Sequence, residues 1–136
     1  MAAPDIFNPK ALSTPGGTYS HVARVPAGAT IVAIAGQIAV GADGTLVGRG
    51  DFGRQAEQVF ANFGAALEAA GGGWSNVVQM MTFLTRREDI ATFGAWRERE
   101  FPKLFAGGHY PPNTLLVVSA LANDDLLLEA QAIAAI

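Results

Sequence analysis

The spacing of apolar residues along the chain predicts two amphipathic helices. Between residues 52 and 70 apolar side chains recur every three or four positions, which places them on one face of a helix. Asp51 stands where it can cap the first turn, and the glycines at 71–73 end the helix. A second stripe of the same period contains Ile90, Phe93, Arg97 (through its alkyl stem), Phe101 and Leu104.

The ends of the second helix are marked by polar and proline residues. Thr85 and Glu88 have the spacing of a capping box, in which each side chain bonds the free backbone N–H of the other residue. Pro102 lies inside the apolar stripe, and its ring and missing N–H predict that the regular helix ends or kinks near Phe101.

Shorter apolar runs that carry β-branched residues predict strands. Gly36 divides two of them, which indicates a bulge or a close approach of the backbone. The predicted strands cover residues 19–25, 30–35, 37–40, 77–84, 111–121 and 126–136. The last two are joined by the turn-forming residues 122–125, so the chain is expected to end in a β-hairpin.

One carboxylate, that of Glu129, interrupts the last apolar strand. Because strand side chains alternate, Glu129 and Gln131 share a face with Leu127 and Ile133. A Glu on such a strand is costly to bury unless it is paired or meets water in a cleft. Two interpretations remain open. Glu129 either hydrogen-bonds across strands at a subunit contact, or it orients or deprotonates a water molecule in a ligand cleft.

The order of elements, β-β-β-α-β-α-β-β, predicts an α+β fold in a single domain over residues 1–136. The simplest packing is a mixed sheet with both helices on one face. Residues 1–18 are rich in proline and glycine and are expected to form an irregular N-terminal arm. The other face of the sheet would be uncovered in a monomer, and only 15% of the residues are charged, so an oligomer is expected.

Composition and charge narrow the functional classes. The net charge of −3 argues against nucleic acid as the main partner, and the absence of cysteine removes disulfides, thiol nucleophiles and Cys-ligated metals. Neither a membrane span nor a secretory signal is visible, so a cytoplasmic protein is expected. His21 and His109 lack the spacing of metal ligands, no serine has a nucleophile-elbow context, and neither a metal nor a cofactor is expected.

Several separate segments resemble one family of proteins. They are GTYSH at 17–21, AGQI at 35–38, RQAEQVFANFGAALEAAG at 54–71 and EAQAIA at 129–134. In this order they span nearly the whole chain, which resembles the Rid family, also called YjgF or reactive intermediate deaminases. The resemblance implies a chorismate-mutase-like α+β subunit, a homotrimer, and a small-molecule cleft at each subunit boundary.

The resemblance also implies which residues line that cleft. Family members that deaminate imines hold the substrate carboxylate with an Arg, and the matching position here is Asn113. Three other family positions are changed: the small polar residue before Gly-Gln is Ala35, the helix Asn is Gly94 and the Cys is Leu115. The implied site has Glu129 as its catalytic group, and its ligand-binding residues are Tyr19, Ala35, Gly36, Gln37, Asn113 and Thr114.

Two functions of different classes follow. The protein is either a deaminase-like hydrolase of an imine or enamine metabolite, with Glu129 positioning water, or a trimer that binds or regulates without catalysis. Without the Arg, a 2-imino acid is a poor substrate and a neutral polar ligand suits the cleft better. Ribonuclease and chaperone-like activities have been described for some family members, and the acidic charge balance gives the ribonuclease activity little support here. A trimer without any ligand is a third outcome.

Overall fold

The computed structural model describes residues 3–136, and those residues form six strands and two α-helices. The first two residues of the predicted arm lie outside this range. The strands are β1 (Asp5–Phe7), β2 (Val22–Arg24), β3 (Ile31–Gln37), β4 (Val77–Leu84), β5 (Asn113–Val117) and β6 (Leu128–Ala135). The helices are α1 (Phe52–Ala69) and α2 (Asp89–Leu104).

Four strands form one mixed sheet in the order β3-β6-β4-β5, and β1 and β2 form a separate antiparallel pair. Strands β4 and β5 are parallel and joined through α2, whereas β6 is antiparallel to both β3 and β4. The predicted C-terminal hairpin is wrong, because β4 lies between β5 and β6. A parallel pair needs a crossover, and here the crossover helix places β5 at the sheet edge and leaves the other side of β4 for β6.

Helix α1 confirms the pattern that predicted it. The Asp51 carboxylate accepts a hydrogen bond from the backbone N–H of Arg54 at 3.1 Å, so the first turn is capped as expected. After the helix, Gly71 has a φ of 86°, a left-handed conformation that glycine adopts without strain. The buried stripe of α1 packs on β3 and β6.

The core lies between the two helices and the inner face of the sheet. Its centre is a set of aromatic rings from both helices, in which the Phe60 centroid lies 4.9 Å from that of Trp96 and 5.4 Å from that of Phe101. Aromatic pairs of this kind contribute about 0.5–1.5 kcal/mol beyond the area they bury. The predicted α+β architecture, with both helices on one face of a mixed sheet, is therefore confirmed.

The start of α2 differs from the predicted capping box. The helix begins at Asp89, and Glu88 occupies the cap position without a capping side-chain hydrogen bond. Thr85 instead donates its hydroxyl to the carbonyl oxygen of Leu126 at 3.3 Å. The chain leaves β4 beside the segment that leads into β6, so a tertiary acceptor competes successfully with the local one.

The end of α2 also differs from the prediction. The helix continues through Pro102 to Leu104 and does not end near Phe101. A proline this close to the C-terminus removes only one backbone hydrogen bond. The last turn still closes, since the N–H of Phe105 bonds the carbonyl of Phe101 at 2.8 Å.

The strands of the N-terminal third differ in extent from the predicted ones. The arm contains β1, in which Asp5 forms an ion pair with Arg24 of β2 at 2.6 Å. Strand β2 covers only three residues of the strand predicted over 19–25. Strand β3 runs through Gly36, where the pairing register shifts as the glycine indicated, but residues 38–40 do not continue as a strand.

The outer face of the sheet remains largely uncovered in the single chain. On β6 the even-numbered residues from 128 to 134 are buried, whereas Glu129, Gln131 and Ile133 are half-buried or exposed, which confirms the predicted alternation. Neighbouring strands add large apolar side chains to this face, with Ile31 at 56% and Leu116 at 39% exposure. A face of this composition offers a surface for another subunit.

Candidate ligand site

Glu129 lies half-buried against the backbone of Gly36 in β3. A Cβ atom at residue 36 would come within 2.8 Å of the Glu129 Cδ atom and 3.1 Å of its Cγ atom, so the Glu129 side chain would have to move. The φ angle of Gly36 is not in the left-handed region, so space and not backbone conformation calls for glycine. None of the ion pairs formed among residues 3–136 involves Glu129.

The backbone beside Glu129 departs from regular strand pairing. The register shifts between Ile34 and Gln37, and such irregularities commonly re-aim side chains next to functional sites. The amide nitrogen of Gln37 donates to the carbonyl of Ala35 at 3.0 Å, which holds that side chain along its own strand. The structure thus brings four of the implied site residues together: Ala35, Gly36, Gln37 and Glu129.

The remaining implied residues border a surface depression of about 300 Å³ at the start of β5, which we call the Tyr19 depression. The side-chain oxygen of Asn113 accepts a hydrogen bond from the Thr82 hydroxyl at 3.1 Å. The ring of His21 meets that of Tyr19 edge-on, with centroids 5.8 Å apart. The depression is lined by Tyr19, Ser20, His21, Gln79, Pro112, Asn113 and Thr114.

His21 and Gln79 are lining residues that the sequence pattern did not single out as ligands. The Nε2 atom of His21 lies 2.7 Å from the carbonyl oxygen of Ser13, so the ring is tied to the N-terminal arm. Its backbone N–H also bonds the side-chain oxygen of Asn8 at 2.8 Å. His21 therefore links Tyr19 to the N-terminal arm through tertiary contacts, which the sequence alone does not show.

The two groups of implied site residues are separated within one subunit. On β4, Phe83 is paired with Glu129 and Met80 with Asn113. Three residues along a strand and two strand spacings amount to roughly 14 Å between the two Cα atoms. The side chains also lie on opposite faces, because Asn113 bonds the buried Thr82 whereas Glu129 is on the outer face. One chain alone does not bring Glu129 and Asn113 into one cleft.

Arg97 is the one charged residue in the apolar stripe of α2. Its guanidinium stacks on the rings of Phe93 and Phe101, 4.7 and 5.9 Å from their centroids. Its Nε atom is buried and has no hydrogen-bond partner within the described part of the chain. Burial lowers the pKa of Arg97 from its usual value, while the acidic groups of Glu98 and Tyr19 act in the opposite direction. In the sequence, the only sign of this buried guanidinium is a charged residue at a position of the helix that faces the core.

Other positions named from the sequence lie outside these two groups. Gly94 is on α2, where an added Cβ would meet no heavy atom within 4 Å, and Leu115 packs against the core. His109 borders a separate cavity of about 430 Å³ near the N-terminal arm. Within residues 3–136 no three His, Cys, Asp or Glu side chains are grouped so that they could hold a metal ion. The helices of that same range are too short or too polar to cross a membrane.

A wider groove of about 610 Å³ lies between α1 and α2, on the side of the molecule away from Glu129. Its floor is formed by Phe60, Trp74 and Trp96, which are also part of the aromatic packing. Arginine and glutamate side chains of both signs line its rim. None of the implied site residues borders it, so its size alone does not make it the site.

Comparison with known proteins gives one consistent result. Residues 10–136 match the family model described as Endoribonuclease L-PSP. A RutC family protein of Pyrococcus abyssi is 31% identical over 134 residues, which cover 98% of each chain. Another RutC family protein, from Synechocystis, is 37% identical over 94 residues, 68% of this chain and 69% of the relative.

Solved structures agree with the sequence matches. A Yersinia pestis protein of unknown function, YyfB of the conserved Rid family, superposes with a TM-score of 0.82 at 29% identity, covering 99% of this chain and 100% of that one. Escherichia coli TdcF with bound serine superposes with a TM-score of 0.69 at 28% identity, covering 96% and 98% of the two chains.

Proposed function

The chain belongs to the Endoribonuclease L-PSP family, which includes the Rid and RutC proteins, and we propose that it is a small-molecule hydrolase of the imine or enamine deaminase type. The observation that carries this proposal is the position of the Glu129 side chain. Its carboxylate lies over Gly36 on an uncovered sheet face, half-buried and outside every ion pair of residues 3–136. A carboxylate held in that way is available to bind and orient a water molecule.

The ligand cleft is formed between subunits of a homotrimer. Support comes from the distance of roughly 14 Å, on opposite faces, that separates Glu129 from Asn113 in one chain. Apolar residues such as Ile31 and Leu116 on the same outer face would be covered by a neighbouring subunit. Packing of outer faces would let Glu129 of one copy approach the side of the Tyr19 depression of the next that is formed by Gln79 and Thr114, which lie on the outer face.

Hydrolysis in such a cleft requires few protein groups. Glu129 accepts a proton from water while the water oxygen bonds to the imine carbon. Glu129 then returns that proton to the nitrogen, which gives a neutral carbinolamine. The hydroxyl proton of the carbinolamine passes to the nitrogen as the carbon–nitrogen bond breaks, so that ammonia leaves and a carbonyl group remains. No oxidant or reductant enters the reaction, which accords with a site built from Glu, Tyr, Gln and Asn side chains.

The ligand is a small polar metabolite, but a 2-imino acid is disfavoured. TdcF, which shares the fold, carries a bound serine, and that supports a ligand of similar size here. At position 113, however, this chain has a neutral amide whose oxygen is already bonded to Thr82. An amide cannot replace a bidentate guanidinium as the partner of a carboxylate attached to the reacting carbon.

A non-catalytic trimer that binds a ligand is the second candidate. Two features of position 113 favour it. The residue there is a neutral asparagine where deaminating relatives would have an arginine, and its side-chain oxygen accepts a hydrogen bond from Thr82 within the subunit. Ribonuclease activity, which the family description suggests, receives no support from a net charge of −3.

A panel of N–H imines and enamines, with and without a carboxylate, separates the two candidates when ammonia release is measured against a buffer blank. The hydrolase predicts release above the blank for at least one member that lacks a carboxylate on the imine carbon. Ligand-induced thermal shifts without any ammonia release would favour the binding protein instead. Neither release nor shifts across the panel would contradict both.

A further inference from the structure

We infer that the Tyr19 depression selects a ligand with a neutral carboxamide group, whose carbonyl oxygen accepts a hydrogen bond from the side-chain nitrogen of Asn113. Thr82 is the positioning residue, because its hydroxyl fixes which end of the Asn113 amide faces the depression. Because it names the class of ligand for the same site, this assignment rests on the proposed function.

Thr82 is a polar residue in the buried row of β4. Its neighbours on that row, Met80 and Leu84, are apolar, and Thr82 itself is only 1% exposed. A hydroxyl at such a position is costly unless it is hydrogen-bonded. Among residues 3–136 its one side-chain hydrogen bond is to the side-chain oxygen of Asn113, at 3.1 Å. The hydroxyl of Thr82 therefore holds the side chain of Asn113.

The same hydroxyl determines the orientation of the Asn113 amide. With Thr82 as the donor, the amide oxygen of Asn113 accepts and the buried hydroxyl proton has a partner. In the reversed orientation the amide nitrogen would donate to the hydroxyl oxygen, and the hydroxyl proton would have no acceptor in the core. A buried donor without a partner is costly, so the oxygen of the amide points inward.

The nitrogen of Asn113 faces the depression with unused donors. Asn113 is half-buried and forms part of the lining. Oxygen and nitrogen lie at opposite ends of the planar amide group, so an oxygen bonded to Thr82 leaves the nitrogen pointing away from the core. Within residues 3–136 the one buried side-chain polar atom without a partner is Nε of Arg97, so the unbonded nitrogen of Asn113 is open to solvent or to a ligand.

The depression offers hydrogen bonds but no Arg or Lys side chain. Its lining among residues 3–136 contains no Arg, Lys, Asp or Glu. The ring of His21 donates through Nε2 to the carbonyl oxygen of Ser13, a bond that a neutral imidazole makes in full. A carboxylate entering there would lose water without meeting a guanidinium or an ammonium group, which is costly. A neutral carbonyl loses less water and gains an N–H of Asn113.

Acceptors for the nitrogen of a carboxamide are present in the same lining. Gln79 and Thr114 are exposed, and each has a side-chain oxygen that can accept a hydrogen bond. A carboxamide combines one carbonyl acceptor with two N–H donors, whereas a carboxylate has acceptors only. The donor of Asn113 and these acceptors together match a carboxamide.

A carboxamide would take the place that the carboxylate has in a 2-imino acid. The corresponding substrate is a 2-imino carboxamide or its enamine tautomer, in which the carboxamide is attached to the carbon that water attacks. Its carbonyl group still withdraws electrons, so the imine carbon remains electrophilic. With its carbonyl held by Asn113, such a ligand would present the imine carbon to the side of Gln79 and Thr114, which Glu129 of a neighbouring copy would approach.

Propanamide and propanoate, which are alike in size and shape but differ in charge, test the assignment without any turnover. In ¹H–¹⁵N spectra of the full chain, propanamide should shift both side-chain N–H signals of Asn113, and it should bind at least about tenfold more tightly than propanoate. Asn113→Asp replaces the donors by an acceptor and should weaken propanamide binding at least about tenfold. Thr82→Val removes only the hydroxyl and should weaken it about threefold to tenfold, whereas Thr82→Ser keeps the hydroxyl and should bind as the wild type does.

Thr85→Val is the matched control for Thr82→Val, because the hydroxyl of Thr85 also donates to a tertiary acceptor but does not line the depression. It should leave the affinity for propanamide unchanged. Equal loss of affinity in the two valine variants would overturn the assignment, as would equal affinity in wild type, Asn113→Asp and Thr82→Val. Propanoate binding as tight as that of propanamide, or no binding of propanamide at millimolar concentration, would also overturn it.

Ammonia release distinguishes a failure of the hydrolase from a failure of the carboxamide assignment. The expected binding of propanamide without ammonia release from any imine would contradict the hydrolase and support the assignment. Release from uncharged imines together with equal binding of the two probes would support the hydrolase and overturn the assignment.

Discussion

The side chain of Glu129 fills the space that a Cβ atom at Gly36 would occupy, with the Glu129 Cδ atom only 2.8 Å from that point. The glycine therefore sets where the carboxylate can lie, although the two residues are almost a hundred positions apart in the chain. The irregularity in β3 and the glutamate in β6 together define the position of the carboxylate, and neither feature alone would do so.

The change Gly36→Ala should displace Glu129 while the subunit remains folded. The new methyl group must push the carboxylate aside, at a cost to stability of about 1–3 kcal/mol. If the hydrolase proposal is correct, ammonia release should fall at least about tenfold, because catalysis depends on sub-ångström placement of the catalytic group. Steady-state rates and denaturant unfolding of the same preparation check both effects.

Gly94→Ala is the control for that change, since an alanine Cβ on α2 would meet no heavy atom within 4 Å. Alanine is the better helix former, so this variant should be unchanged or more stable by up to about 1 kcal/mol. Equal loss of activity in both variants would contradict a specific role for Gly36.

Gln55 should be among the most costly polar residues to replace. It is fully buried, its Nε2 donates to the carbonyl oxygens of Asp125 (2.8 Å) and Gly48 (3.2 Å), and its Oε1 accepts from the N–H of Leu127 (2.8 Å). Gln55→Met keeps the volume but strips the partners from three backbone groups, so the free energy of unfolding should fall by about 3 kcal/mol.

The matched variant is Gln58→Met, one turn further along α1, where the amide bonds only Asn62 at 2.8 Å. This change should lower the free energy of unfolding, measured by chemical denaturation, by less than about 1 kcal/mol. If the two variants unfold at the same denaturant concentration, Gln55 does not hold the segment before β6 as described.

Asn113→Arg tests how the missing cation limits the substrate range. The wild-type protein should hydrolyse 2-iminopropanoate, generated in a coupled assay, hardly faster than buffer does. The arginine should tighten the binding of pyruvate by about 1–3 kcal/mol, as measured by calorimetry, because it restores a charge-assisted pair. Asn113→Gln, which lengthens the side chain without adding charge, should not. Rapid hydrolysis by the unmodified protein would show that another cation holds the carboxylate.

The homotrimer predicts a solution mass about three times the subunit mass of 14.1 kDa. Its physical reason is the outer sheet face, which leaves Ile31 and Leu116 exposed at 56% and 39% in the single chain. Light scattering at micromolar concentration measures this mass directly. A stable monomer would remove the inter-subunit cleft from the account.

Local patterns predicted the helices and most strands, because their period depends only on neighbouring residues. Strand β4 occupies the residues predicted for it, and α1 differs by one residue at its end. The C-terminal hairpin was wrong because strand order depends on which strand a crossover helix leaves unpaired. The capping box was wrong for a similar reason, since Thr85 found a tertiary acceptor.

The site was harder to predict than the fold. Resemblance supplied the residue names, but it could not show that Gly36 and Glu129 touch while Asn113 lies on the opposite face. The pattern predicts Arg97 as part of the apolar stripe of α2, because all four other positions of that stripe are apolar. Only the structure shows that its buried Nε has no hydrogen-bond partner among residues 3–136. The period of apolar residues predicts which side of a helix is buried, but it does not predict the hydrogen-bond partners of the buried side chains.

The most direct test of the central claim is the rate of ammonia release by Glu129→Gln, measured on the imine or enamine that the wild type hydrolyses fastest. Glutamine keeps the size and most of the hydrogen bonding of glutamate but cannot take a proton from water. The account predicts an unchanged trimer mass and a rate at least about a hundredfold lower. An unchanged rate in an intact trimer would contradict it, and would leave Glu129 with a structural role between strands.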